Sequence, residues 1–308
     1  MDVVSVSDLH KSYGKVHALD GVSFHVDRGE VFALLGPNGA GKTTSIEILE
    51  GFSHRDSGRV EVLGVDPGDR RRQRWLRTRI GIVLQELAVE PYLTVRQVLE
   101  RNAGFFPDPR PVDEVIELVG LAPKRDARVK TLSGGQQRRL DVGLGIVGNP
   151  SLLFLDEPTT GLDPAARRTT WDLIRSLKSE GTTVLMSSHY MDEVEALAQR
   201  VAVMVSGRIV ATGPPASIGG RELSEATIRF RLPEGVSVSD LPVGATGYED
   251  GAIVVRTQDD VRVLARIVNW AIDGGIDLVG LSVTRLTLED VYLGLTGGDA
   301  VTTDGTDR

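Results

Sequence analysis

Length, composition and charge limit the kinds of protein that this chain can be. Its 308 residues suffice for two domains, and 41% hydrophobic with 25% charged residues is typical of a soluble globular protein. Neither an apolar run of about 18 residues nor a secretory signal is visible, which argues against a membrane span. The lack of cysteine excludes disulfides and thiolate metal sites, and the net charge of −8 disfavours nucleic-acid binding. We therefore expect a soluble cytoplasmic protein.

The N-terminal segments predict two strands and then a phosphate-binding loop. Alternating residues predict strands at 3–9 and 21–26, with a turn at 11–15 between them. The apolar strand Val31–Leu35 leads into the spacing G-x-x-x-x-G-K-T, and helix-like residues follow at 45–49. Strand, glycine-rich turn and helix in this order are typical of a P-loop. The residues of this loop are Gly36, Pro37, Asn38, Gly39, Ala40, Gly41, Lys42, Thr43 and Thr44.

The P-loop predicts a site for a nucleoside triphosphate. Its glycines leave backbone N–H groups free to face an anion, at the positive end of the following helix. We expect Lys42 to reach the β- and γ-phosphates and the Thr43 hydroxyl to hold Mg²⁺. Tyr13, in the predicted turn before the loop, can stack on an adenine ring, although packing within the protein is the commoner role of such a residue.

The next segments predict further strands and a helical insert. Residues 57–62 form a strand, and the arginine run at 70–74 fits a solvated helix face better than a nucleic-acid patch. The apolar strand at 80–84 ends at Gln85, whose amide is placed to meet Mg²⁺ or the attacking water, or to act as an ordinary loop residue. Helix-like segments at 95–106 and 112–119 are separated by a proline cluster, which indicates a helical hairpin.

A second glycine-rich segment follows the insert. Ser133 is placed to cap a helix, while Gly134 and Gly135 keep the amino end of that helix open to an anion. The pattern indicates a second phosphate site, in addition to the complete site that the P-loop already provides. The alternative is a glycine-rich helix start without a ligand.

Acidic and histidine side chains follow two later strands. The apolar strand at 152–155 ends at Asp156 and Glu157, and buried adjacent carboxylates require a cation or hydrogen bonds. We expect Asp156 to hold Mg²⁺ through water and Glu157 to polarise a water as general base. A further strand at 183–186 leads to His189. Polar groups at successive strand ends, Gln85 included, indicate one site.

The C-terminal third predicts a separate small domain. A hairpin at 201–212 is followed by prolines and glycines, which mark a domain boundary. Strands at 227–232, 253–257 and 277–286, with helices at 261–272 and 288–295, predict an α+β domain over 221–296. We expect 297–308 to be disordered because this tail is rich in glycine, threonine and aspartate.

The order of these motifs resembles the nucleotide-binding subunit of an ATP-binding cassette (ABC) transporter over residues 1–218. The segment 132–136, L-S-G-G-Q, matches that family's signature, and 161–163, G-L-D, matches a further family motif. The resemblance implies an α/β P-loop NTPase core with an antiparallel β subdomain and a helical insert at about 86–147. The small α+β domain would follow this core.

The resemblance also implies a role for each site residue. Tyr13 would stack on adenine, and Gln85 would link the γ-phosphate and Mg²⁺ to the insert. His189 would stabilise charge on the γ-phosphate, and Asp163 would lie at a subunit contact. The signature residues Ser133, Gly134, Gly135 and Gln136 would bind ATP held by a second copy, with Ser133 and Gly135 on its γ-phosphate. The implied assembly is a head-to-tail homodimer with two MgATP between the copies.

A membrane partner and a cargo class follow from the same resemblance. A separate transmembrane permease would dock near Gln85 and residues 87–106, so the chain would lie on the cytoplasmic face of the cell membrane and touch it only through the permease. Segments 137–141 and 288–297 are similar to daunorubicin-type drug-resistance exporters, which implies drug or antibiotic efflux. Export of lipid, polysaccharide, ion or haem is the alternative, followed by a non-transport ABC ATPase and then a small-molecule kinase.

Overall fold

The computed structural model describes residues 2–83, 90–233 and 235–296. The chain divides into two compact units, residues 1–215 and 216–308. Gln85 and the first residues of the predicted insert lie outside the described residues, as does the predicted tail at 297–308.

Among its described residues, the first unit has nine strands in two sheets. The strands are β1 Asp2–Tyr13, β2 Val16–Asp27, β3 Val31–Leu35, β4 Ser57–Val62, β5 Ile80–Val83, β6 Leu152–Asp156, β7 Thr183–Ser188, β8 Arg200–Val205 and β9 Arg208–Gly213. The smaller sheet is antiparallel with the order β2-β1-β4, and the larger has the order β5-β6-β7-β3-β8-β9. Every pairing in the larger sheet is parallel except that of β8 with β9.

The parallel sheet positions the functional residues. β3, β6 and β7 are buried throughout, and each has an apolar stretch of at least three residues, as expected for central strands covered on both faces. In register, Leu35 pairs with Ser188 and Asp156 pairs with Ser187. The segments that follow these three strands therefore meet at one edge of the sheet.

Seven α-helices lie in the described part of the first unit. They are α1 Lys42–Glu50, α2 Gln73–Arg77, α3 Val95–Ala103, α4 Val112–Leu118, α5 Gly134–Ile146, α6 Pro164–Ser179 and α7 Met191–Leu197. Short 3₁₀ turns lie at Ala122–Lys124 and Val129–Thr131. Within the described ranges, no helix is both long and apolar enough to cross a bilayer.

Two predicted boundaries were wrong. The helix predicted at 95–106 ends at Ala103, since Gly104 disfavours the helix and Pro107 cannot continue it. The turn predicted at 11–15 is confined to Gly14 and Lys15, because β1 continues to Tyr13 and pairs with β2 along its length. Irregular register, with Asp8 at φ 52°, interrupts the alternation that sequence reading relies on.

The second unit, over its described residues, is an antiparallel sheet with two α-helices. Its strands are β10 Ala226–Arg231, β11 Gly247–Glu249, β12 Ala252–Thr257 and β13 Val279–Thr284, and its helices are α8 Asp260–Asp273 and α9 Leu288–Thr296. The strand order is β11-β12-β10-β13. Ile228, Phe230, Ile253, Val255 and Ile267 form its core. Further 3₁₀ turns lie at Ile218–Leu223 and Val238–Asp240. The short exposed strand β11 was not predicted.

Candidate nucleotide-binding site

The P-loop joins β3 to α1 in a conformation that requires glycine. Gly41 has φ 101°, and a Cβ added there would lie 2.5 Å from the carbonyl oxygen of Ala18. A Cβ at Gly36 would lie 2.4 Å from the carbonyl oxygen of Met204. Backbone that close leaves no room for a side chain, so the two glycines let the loop pack directly against the backbone of β2 and β8.

Lys42 is buried at the first position of α1. Its Nζ donates to the carbonyl oxygens of Gly36 and Pro37 at 2.8 and 3.0 Å, and lies 3.7 Å from Glu157 Oε1. Burial lowers the pKa of Lys42, while the carboxylates of Glu157 and Asp156 raise it. The ammonium therefore stands between the loop and the acidic pair.

Thr43 and Asp156 bring two oxygen ligands together. The Thr43 hydroxyl donates to Asp156 Oδ2 at 3.1 Å, and the Ser187 hydroxyl makes a very short hydrogen bond to the same carboxylate. A hydroxyl and a carboxylate fit Mg²⁺, which takes oxygen ligands and completes its shell with phosphate and water. Among the described residues, no group of three or more histidine or acidic side chains is suited to a metal. Gln85, the third predicted metal residue, lies outside the described part of the chain.

Glu157 and His189 form a hydrogen-bonded pair. His189 Nδ1 lies 3.1 Å from Glu157 Oε1, and the Thr160 hydroxyl donates to Glu157 Oε2 at 3.1 Å. The backbone N–H of Glu157 donates to Ser187 Oγ at 3.0 Å, and the residue has φ 47°, which is rare for a side chain other than glycine. This pair can orient and deprotonate a water molecule beside the P-loop.

A cavity of about 640 Å³ opens at this edge of the sheet. Its lining includes Tyr13, Asn38, Gly39, Gly41, Lys42, Thr43, Thr44 and Glu157. Tyr13 is 49% exposed and its hydroxyl lies 3.3 Å from Ser53 Oγ. The ring therefore borders the cavity and is not buried in the core. Gly36, Pro37 and Ala40 belong to the same loop, with Ala40 packed inside.

A second cavity of about 480 Å³ lies at the amino end of α5. Ser133 caps this helix: the Gln136 N–H donates to its Oγ at 3.4 Å, and its own N–H donates to Gln136 Oε1 at 3.0 Å. Asp163 borders the cavity but caps α6, accepting from the backbone of Ala165 and Ala166. The lining includes Ser133, Gly134, Gly135, Gln136, Arg139, Gly161, Leu162 and Asp163. Within the described part of the chain, it shares no residue with the first cavity.

Sequence reasoning missed several residues that hold this site. Ser187 bridges Asp156 and the backbone of Glu157. Glu193, fully buried on α7, accepts from Thr159, Ser188 and Trp171, and burial raises its pKa. The hydroxyls of the two serines at 187 and 188 offered a weak signal. Glu193 offered none, because a glutamate on a short helix normally faces solvent.

The fold and the site define a P-loop nucleoside triphosphatase. The family model described as ABC transporter matches residues 19–160, and a second model, described as ABC transporter domain-containing protein-like, C-terminal domain, matches 226–287. The daunorubicin resistance ATP-binding protein DrrA3 of Streptomyces coeruleorubidus is 38% identical, and the match covers 96% of each chain. The Nod factor export ATP-binding protein I of Paraburkholderia xenovorans is also 38% identical, covering 96% of this chain and 97% of that protein.

A solved ATP-binding cassette of an ABC transporter, in its ADP conformation, has the same fold. It superposes with a TM-score of 0.63 at 28% identity, covering 70% of this chain and 91% of that one. The chain belongs to the ABC transporter ATP-binding proteins and is an ATPase of that family. The predicted family and fold class are confirmed. The roles of the individual site residues stay predictions.

Proposed function

We propose that this chain is the MgATP-hydrolysing subunit of an ABC exporter and works as a homodimer closed over two nucleotides. The observation that carries the proposal is the separation of the two cavities, which have no lining residue in common among those the structure describes. A capped helix end with two glycines in its first turn suits an anion, yet it lies outside the P-loop cavity of its own chain. A second copy bringing its own ATP to that helix end gives it a ligand.

Each half of the dimer would hydrolyse the ATP held by its own P-loop. Thr43 and Asp156 would hold Mg²⁺, which neutralises charge on the β- and γ-phosphates. Phosphate oxygens attract the Lys42 ammonium, which frees Glu157 from its 3.7 Å ion pair. The Glu157 carboxylate then accepts a proton from the attacking water, and His189, held on the same carboxylate, donates toward the γ-phosphate.

A head-to-tail contact between two copies gives a closed dimer, because each copy offers both a P-loop and a signature helix. The two γ-phosphates would then bridge the copies, and hydrolysis would remove both bridges. The resulting opening and closing is an order-and-release switch governed by the γ-phosphate.

The motion would drive a separate permease on the cytoplasmic face of the membrane. Tyr92 and Phe105 are exposed on the described part of the predicted docking region, 90–106, which suits an apolar partner segment. The relatives named for daunorubicin resistance and the similarity at 288–297 support drug or antibiotic efflux. Relatives named for Nod factor export keep another exported cargo as the alternative. The unit at 221–296 would be an accessory or regulatory domain.

Two substitutions test the shared site. Glu157→Gln removes the base, so turnover should fall by about 100-fold or more while MgATP binding persists and the dimer accumulates. Ser133→Arg fills the second cavity, so ATP-dependent dimerisation should be lost while a monomer still binds ATP. Gel filtration with light scattering measures dimerisation, and titration with a fluorescent ATP analogue measures ATP binding.

Ser237→Arg is the matched control for Ser133→Arg. Ser237 caps a short turn in the second unit through the same reciprocal hydrogen bonds, with Asp240 in place of a glutamine. The control should dimerise like the unmodified chain. Loss of monomer ATP binding in Ser133→Arg would contradict a site that acts on the partner's nucleotide, and normal turnover in Glu157→Gln would remove this residue as the base.

A further inference from the structure

Arg138 binds the backbone that carries the acidic pair. The residue lies on α5, five positions after Ser133, and is only 8% exposed. Its Nη2 donates to the carbonyl oxygens of Asp156 and Glu157 at 3.0 and 3.1 Å, and its Nε donates to the carbonyl oxygen of Pro158 at 2.8 Å. One guanidinium therefore binds three consecutive peptide groups.

The shape of this guanidinium matches the strained backbone at Glu157. That residue has φ 47°, and such a conformation persists only where the surroundings hold it. Arg138 holds its carbonyl side, while Ser187 accepts from its N–H at 3.0 Å. A lysine cannot reproduce the contacts, because its single ammonium lacks the planar fork that reaches several acceptors at once.

Arg138 is anchored on the helix whose amino end forms the second cavity. The helix joins the two features rigidly, since five residues of α-helix span about 7.5 Å. A salt bridge of 3.3 Å from Arg138 to Asp141 further fixes the guanidinium on α5. Any shift of α5 on binding a ligand at Ser133 therefore moves the donors that hold Glu157.

We propose that Arg138 is a positioning residue that couples the two ATP sites of the homodimer. In this scheme, which rests on the proposed function, the partner's ATP at Ser133 fixes the position of α5. Arg138 then holds the Glu157 carboxylate in place for hydrolysis in its own chain. Because coupling is reciprocal, the state of the Glu157 loop also changes how tightly the signature helix holds the partner's nucleotide. Hydrolysis is therefore cooperative in ATP.

Arg138→Lys and Arg138→Gln test the coupling, with Arg110→Gln as control. Arg110 is also a largely covered arginine, with a side chain 11% exposed and paired with Glu180 at 2.7 Å, and it is not among the described residues that line either cavity. We expect both Arg138 variants to lower kcat by about tenfold or more and to bring the Hill coefficient for ATP toward about 1. ATP affinity of the monomer should stay within about twofold. Arg110→Gln should lower the melting temperature and leave the Hill coefficient unchanged.

A double-mutant cycle separates coupling from simple support of the fold. In a Ser133→Ala background, the contact of α5 with the partner's ATP is already weakened. Adding Arg138→Lys to that background should therefore lower kcat by less than about twofold. Equal losses in both backgrounds would refute the coupling, as would an unchanged Hill coefficient in folded Arg138 variants. Lost ATP binding by the monomer would also refute it, since Arg138 would then shape the P-loop site itself.

Hydrogen exchange gives a test that needs no Arg138 variant. With MgATP bound, the amides of residues 157, 159 and 160 should be better protected in the Glu157→Gln chain than in the Glu157→Gln, Ser133→Arg chain, and equal protection would overturn the proposal. Failure of the proposed function has a different signature. In that case the unmodified chain neither dimerises with ATP nor shows cooperativity, whereas failure of the coupling alone leaves both intact in Arg138→Lys.

Discussion

Glu50 should make the first unit less stable as the pH rises from about 4.5 to 8. The residue ends α1 and is 3% exposed. Burial raises the pKa of its carboxyl to about 8, with smaller contributions from the charges of Asp156 and Glu47. Since the unfolded chain releases this proton near pH 4.5, the folded chain holds the extra proton between pH 4.5 and 8. Stability from Glu50 is therefore greatest below pH 4.5 and declines as pH rises to 8.

Glu50→Gln removes this dependence because an amide of the same size does not ionise. At about 1.4 kcal/mol per pH unit, the free energy of unfolding of the variant should rise by about 3 kcal/mol relative to that of the unmodified chain between pH 5.5 and 8.5. Urea unfolding at both pH values measures the difference. A Trp270→Phe background leaves Trp75 and Trp171 as reporters of the first unit.

Glu117→Gln controls for the change in net charge, because that carboxylate is exposed on α4. The control should track the parent at both pH values. A Glu50→Gln advantage that is the same at pH 5.5 and 8.5 would show that the carboxyl is not held neutral by burial, and would refute the reasoning.

Three further predictions concern the adenine contact, a backbone contact and the second unit. Tyr13→Ala should weaken ATP binding by about tenfold and leave tripolyphosphate binding unchanged, whereas Tyr13→Phe keeps ATP affinity; equal losses for both ligands would contradict stacking. Gly58→Ala should destabilise the first unit by about 2 kcal/mol or more, because φ is 92° and the new Cβ would lie 2.3 Å from the carbonyl oxygen of Asp8. Unchanged urea unfolding would contradict this strain. A chain ending at residue 220 should fold and bind ATP, and an insoluble or nucleotide-blind product would mean that the boundary is misplaced.

The local parts of the site could be predicted from sequence because chain order alone fixes their geometry. The P-loop is a contiguous pattern between a strand and a helix, and its neighbours in sequence are its neighbours in space. Asp156 and His189 required one further rule, that parallel strands end at a common edge. The structure accordingly links His189 to Glu157, beside Asp156, across a gap of more than thirty residues in sequence.

Other parts of the site and the fold depend on contacts that no local sequence pattern predicts. Arg138 and Glu193 read as ordinary charged residues on helices, and their burial follows only from packing against distant backbone and side chains. β1 was predicted too short because irregular pairing breaks a period of two. β11, three exposed residues long, lacks an apolar face that would have indicated a strand.

The loop that carries Glu157 takes its position from several elements at once. Its carbonyls are held by Arg138 on α5, and the Thr159 hydroxyl donates to Glu193 on α7 at 2.7 Å. α5 in turn packs closely on α3 and α4, where a Cβ at Gly143 would lie 3.4 Å from Val115 and 3.5 Å from Leu99. A permease segment that pushes on α3 would therefore displace α5 and, through Arg138, the carboxylate of Glu157. In the proposed exporter, the same helix that receives the partner's ATP would carry the permease's state to the site of hydrolysis.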